Sequence, residues 1–130
     1  MKKIIIIGNG LSAWSVANAF TNKNVQITMI GKKKNLFGAQ QLSPNGFNAL
    51  KQLTENDDVK NIIYEIIQFQ INSNINNKTI NLKNFYFNEF DLKYYSVSRE
   101  MLINLLIKNI KNKIKIREIN KSCVGILQRN

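Results

Sequence analysis

Ile4-Ile5-Ile6-Ile7-Gly8-Asn9-Gly10-Leu11-Ser12-Ala13 follows Met1-Lys2-Lys3 at the start of the chain, and its reading decides the fold. Four consecutive isoleucines are the short apolar run of a strand buried on both faces. Beyond them, Ala13, Val16, Ala17 and Phe20 fall at helical spacing across residues 11–20. The G-x-G-x-x-A pattern therefore lies at a strand-to-helix turn, the context in which it signifies dinucleotide binding. Gly8 permits the tight turn, Gly10 lets a pyrophosphate approach the backbone, and Ala13 allows the helix to pack close on the strand. Leu11 and Ser12 open that helix, whose free N–H groups are offered to the phosphates.

Outward from this turn, Val25–Ile30 reads as a second strand with Val25, Ile27 and Met29 on one face, completing a β-α-β unit. Gly31 follows, then the basic run Lys32-Lys33-Lys34. Residues 35–42 read as a glycine-containing loop. Ser43-Pro44 is an N-cap with a first-turn proline, opening a helix with Phe47, Leu50 and Leu53 on one side. Residues 55–58 end it in a polar loop, in which Asp57-Asp58 is a solvated turn. Ile67, Phe69 and Ile71 then alternate with polar residues, and after turn residues 74–77 a partner strand returns over residues 79–82. Phe85, Tyr86, Phe87, Phe90, Tyr94 and Tyr95 cluster without clear periodicity and read as packing residues. Ser98 caps a last helix over residues 98–111, with Glu100 in its first turn and Leu102, Leu105, Leu106 and Ile110 on one face. Ile114 and Ile116 alternate with lysines as a strand rejoining the parallel sheet, and residues 124–127 begin a further apolar stretch.

Composition narrows the classes. A chain of 130 residues with 44% hydrophobic residues is one globular domain's worth. No apolar stretch reaches the roughly 18 residues that span a bilayer, and four isoleucines fall short of a signal-peptide core, so a cytoplasmic protein is expected. Cys123 is the sole cysteine, which excludes an intrachain disulfide. With no histidine, zinc sites and Ser-His-Asp chemistry are excluded within the chain, and nothing activates Cys123 as a nucleophile. The net charge of +11 is scattered, and only three of the 19 basic residues are arginine, so a solvated surface rather than a nucleic-acid site is expected.

Three blocks in order resemble FAD-dependent aromatic-ring monooxygenases of the salicylate and ubiquinone-pathway hydroxylase type, in their N-terminal third. They are residues 4–13; Gly38-Ala39-Gln40-Gln41-Leu42-Ser43-Pro44-Asn45 with Ala49 and Leu50; and Ser98-Arg99-Glu100-Met101-Leu102 before a helix. The resemblance implies an α/β fold, a Rossmann-type parallel sheet with the start of an inserted β-rich substrate layer. It divides a partial FAD-binding domain into residues 1–58, an inserted segment 59–97 and a return to the sheet over 98–130. It implies FAD as cofactor, NAD(P)H as co-substrate and a small aromatic substrate. Gly8, Gly10, Leu11, Ser12 and Ala13 would hold the pyrophosphate, Arg99 would lie near the phosphate–ribose region, and Gln41 would run close to the flavin. The family's later Gly-Asp segment and most of its substrate domain lie beyond the matched region. The chain is thus expected to be an N-terminal piece, inactive alone, with a second polypeptide as one source of the missing half. Peripheral membrane contact stays open if the parent is of the ubiquinone-pathway type.

One position departs from the family. Where the second strand should end in an acidic residue for the adenosine ribose stands Gly31, followed by Lys32. Restoring a carboxylate by Gly31→Glu is expected to strengthen FAD binding. Loss of the acid next to Lys32 and Lys33 also leaves open an NADP-binding module, since basic residues there accommodate a 2′-phosphate. The Gln-Leu-Ser-Pro-Asn block argues against that, and a non-binding remnant is the third alternative. No general acid or base is assigned.

Overall fold

The isoleucine run forms the body of β1 (Lys2–Ile7), and the turn after it delivers the chain into α1 (Leu11–Asn18) and then β2 (Val25–Ile30). The computed structural model describes residues 1–32, 36–54, 56–72, 75, 78–83, 93–111, 113–123 and 125. Phe85, Tyr86, Phe87, Phe90, Lys33 and Lys34, with most of the turn at 74–77 and of the apolar stretch at 124–127, lie outside the described residues. The remaining elements in chain order are β3 (Ala39–Leu42), α2 (Pro44–Leu53), α3 (Asn56–Lys60), β4 (Ile63–Glu65), β5 (Gln68–Asn72), β6 (Thr79–Lys83), β7 (Tyr95–Ser98), α4 (Arg99–Lys111) and β8 (Ile116–Ile119).

The described residues form three sheets. The first is parallel, in the order β1-β2-β8, with Ile4 opposite Ile27 and Ile30 opposite Ile119. The second is antiparallel, in the order β3-β7-β4, and the third is the β5-β6 hairpin, with Ile71 opposite Ile80. This is a Rossmann-type sheet with a β-rich addition. β7 pairs with β3 on one side and β4 on the other, so the second sheet joins residues from early and late in the chain.

The core lies on one face of the parallel sheet. Ile6, Ile27 and Met29 point there, against Trp14 and Ala17 of α1 and Leu102, Leu106 and Ile110 of α4, all of them buried. Each such aliphatic side chain taken from water contributes roughly 1.5–3 kcal/mol. A polar network ties the helices together. Asn18 Nδ2 donates to the carbonyls of Trp14 (2.8 Å) and Leu106 (2.9 Å), and Asn109 Nδ2 donates to Asn18 Oδ1 and to the Leu53 carbonyl, both at 2.7 Å.

Four sequence expectations change. The β1 isoleucines are not buried on both faces: Ile5 is 66% and Ile7 49% exposed, because the described helices cover only the side bearing Ile4 and Ile6. Val16 is likewise exposed on α1; Trp14 and Asn18 complete the buried stripe there with Ala17. Residues 39–42, read as loop, form β3, because β7 supplies the partner strand that no local pattern reveals. Residues 56–58, read as part of a polar loop, belong to α3, with Val59 buried and Asp58 facing Lys108 Nζ at 3.4 Å. The two cap readings hold, whereas the sequence reading places no strand at β4 or β7. Ser43 caps α2, its Oγ accepting from the Gly46 N–H at 3.2 Å, and α4 runs as one helix with the Ser98 Oγ accepting from the Met101 N–H at 3.5 Å.

Candidate functional site: a glycine cradle at the end of the parallel sheet

β1 continues its ladder one residue past the strand, where the Gly8 N–H donates to the Ile30 carbonyl at 2.8 Å. The chain then turns with Gly8 at φ +133°, a conformation that L side chains rarely adopt. A Cβ on Gly8 would also meet the Ala13 Cβ at 3.4 Å, so the small residue at 13 is what lets the helix sit close behind the turn. Asn9 is pinned by the Trp14 indole, whose Nε1 donates to Asn9 Oδ1 at 2.8 Å. Gly10 stands at the N-cap of α1 in an extended conformation, with no side-chain cap bond and no acidic residue in the first turn. The first N–H groups of the helix therefore keep their need for an acceptor, and the dipole adds partial positive charge.

These groups line a cavity of about 640 Å³ together with Gly31, Lys32, Leu36, Gln40, Arg99 and Ile103. Nothing lies within 4 Å of a Cβ built on Gly10, so the backbone there is open to a ligand. Among the described residues, Lys32 and Arg99 are the cations of the lining, which includes no carboxylate. Arg99 starts α4; its backbone N–H donates to the Gly38 carbonyl at 3.0 Å and its Nη2 reaches Gln40 Oε1 at 3.5 Å. An uncapped helix start, an open glycine backbone and two cations without a counter-charge suit a diphosphate, so the residues present fit a dinucleotide.

Of the residues singled out from sequence, the cavity brings together Gly8, Gly10, Leu11, Ser12, Gly31, Lys32 and Arg99. Ala13 packs behind the turn rather than lining the cavity. Gln41 points away and is exposed, and its neighbour Gln40 lines the cavity instead. Period-two alternation against buried Leu42 carried that signal, since Gln40 and Leu42 share a face of β3. Asn9, Leu36 and Ile103 were not anticipated, and Asn9 becomes legible only once Trp14 is seen beneath the turn.

Gly31 requires a correction. A Cβ at this position would lie 2.6 Å from the Gly8 carbonyl carbon, 2.8 Å from the Asn9 nitrogen and 2.9 Å from the Gly8 oxygen. All three are backbone atoms, so a side chain at 31 would push the glycine turn itself. Gly31→Glu cannot simply restore a ribose acceptor, and the expected gain in FAD binding is withdrawn.

The parallel sheet, the glycine turn and the β-rich addition make up an α/β fold that solved monooxygenase structures share. No protein-family model and no curated protein matches the chain. Among solved structures it is similar to PqsL, a probable FAD-dependent monooxygenase from Pseudomonas aeruginosa (TM-score 0.72, 12% identity, 92% of this chain and 32% of that one). It is similar to the p-nitrophenol 4-monooxygenase PnpA from Pseudomonas putida (TM-score 0.75, 13% identity, 99% and 35%). The tetrameric form of 2-methyl-3-hydroxypyridine-5-carboxylic acid oxygenase is a third (TM-score 0.73, 21% identity, 95% and 33%). The chain spans about a third of the length of these structures. No helix among the described residues is long and apolar enough to cross a membrane.

Proposed function

We infer that this chain is the N-terminal, FAD-binding part of an FAD- and NAD(P)H-dependent monooxygenase that hydroxylates a small aromatic substrate. The observation that carries the reading is the cationic cavity at the uncapped start of α1, in a fold shared with FAD-dependent monooxygenases. Within it, the backbone of residues 10–12 and the Lys32 and Arg99 side chains hold the diphosphate, Gly10 by leaving its side open. Gln40 orients Arg99 through the 3.5 Å contact, and Leu36 and Ile103 supply apolar wall that limits water. FAD, when bound, supplies the redox chemistry by which oxygen is placed on a ring; the chain's residues bind and orient it.

A narrower reading, a nucleotide-binding module that assembles with a second polypeptide, draws on the exposed Ile5 and Ile7, an apolar sheet face that the described elements do not cover. In both readings the 130-residue chain by itself yields no hydroxylated product. Titration of the chain with FAD, followed by flavin fluorescence, tests the shared claim: saturable binding that ADP displaces supports it, and absence of binding refutes it. An NAD(P)H-oxidation assay over a panel of phenols checks the second claim, and product formed at catalytic turnover would overturn it.

A further inference from the structure

Gly31 sets a problem that the neighbouring strand answers. A dinucleotide in the glycine cradle needs hydrogen-bond partners for its adenosine ribose, and the end of β2 has neither a side chain nor room for one. The cavity at the cradle does not stop at Gly31. A second cavity of about 340 Å³ meets it at Asn9 and Gly31, and the rest of its lining is Met29, Glu118, Ile119 and Asn120. That volume lies in the small-ligand range of roughly 300–1,000 Å³. It extends across the sheet from β2 to β8, and neither Arg99 nor Gln40 lines it.

The register brings polar groups to the right level. The Gly31 N–H donates to the Ile119 carbonyl at 3.0 Å, so Asn120 stands beside the residue that lacks a side chain. Glu118 pairs with Met29 across the ladder and lines the same cavity. Lys111 Nζ holds Glu118 Oε1 at 2.8 Å, which orients the carboxylate, and its second oxygen can accept from a hydroxyl. We propose that the adenosine ribose is read from β8, by Glu118 and Asn120, in place of the acidic residue that ends β2 in other dinucleotide-binding folds. The ligand class follows: an adenosine diphosphate moiety with both ribose hydroxyls unmodified. A 2′-phosphate would be set against the Glu118 carboxylate. This rests on the dinucleotide reading above.

The test is calorimetric titration of the full chain with ADP, and with AMP and 2′,5′-ADP, which differ only in the 2′-phosphate, repeated on Glu118→Gln, Asn120→Ala and Lys108→Gln. The parent is expected to bind AMP more tightly than 2′,5′-ADP. Glu118→Gln, nearly isosteric, is expected to weaken ADP by about tenfold, the scale of one charged hydrogen bond, and to narrow the discrimination between AMP and 2′,5′-ADP. Asn120→Ala should weaken ADP as well, whereas Lys108→Gln, which removes the same charge from α4, leaves ADP within about threefold of the parent, because that lysine pairs with Asp58 and neither lines the cavity nor touches Glu118. ADP affinities of Glu118→Gln and Asn120→Ala within twofold of the parent would overturn the proposal while leaving the cradle standing. So would a parent that prefers 2′,5′-ADP to AMP, or a loss in Lys108→Gln equal to that in Glu118→Gln. A parent that binds neither ADP nor FAD would overturn the dinucleotide reading, and this inference with it.

Discussion

Gly10 and Gly31 both border the cradle, yet a side chain meets opposite surroundings at the two positions. At Gly10 an added Cβ finds open space, so Gly10→Val should fold like the parent while filling the volume that a diphosphate needs. At Gly31 the same atom is driven into the Gly8–Asn9 backbone. Gly31→Ala is therefore expected to destabilise the chain by about 1–3 kcal/mol, the usual cost of overpacking, and urea unfolding of the two variants would separate these effects. The glycine motif was fully legible in sequence because each of its positions is a local backbone demand. The role of Gly31 was not. Sequence shows which side chain is missing but not which backbone atoms have moved into its place.

Among the elements, α1 and α4 depend on two asparagines that hydropathy patterns hide. Asn18 and Asn109 sit on buried helix faces and satisfy carbonyls of Trp14, Leu106 and Leu53. Removing one partner leaves buried groups unsatisfied, so Asn109→Ala should cost about 1–3 kcal/mol for each group orphaned, read from the urea midpoint. Ser43→Ala at the α2 cap should cost only about 1 kcal/mol, since it removes a single exposed hydrogen bond. Caps, helix periods and the hairpin were readable because they are written within a few residues. β3 and β4 were not, because each is made a strand by β7, which lies thirty or more positions further on. A polar stretch such as Gln40-Gln41 carries no strand signal until its partner is known.

On the scale of the whole molecule, the parallel sheet has helices on one face and an exposed apolar strip on the other. Parallel sheets are ordinarily covered on both faces, which is why the isoleucine run read as doubly buried. The solved structures that share this fold are about three times as long, and among the described residues no element covers this face. Replacing Ile5 and Ile7 together by threonine should raise the solubility of the chain while changing its stability by no more than about 0.5 kcal/mol per site. Ile6→Ala, on the helix-covered face, should cost about 2–5 kcal/mol, and equal losses from both faces would show the open face to be packed after all.

The central claim is that the turn between β1 and α1 is built to hold a diphosphate. Its most direct measurement is calorimetric titration of FAD into the parent chain and into Gly10→Val, with circular dichroism to establish that both are folded. The parent should bind saturably, and the folded variant should lose at least about tenfold in affinity, or 1.4 kcal/mol. A folded variant that binds FAD as tightly as the parent would show that the nucleotide does not lie on the Gly10 backbone, and the cradle assignment would fall.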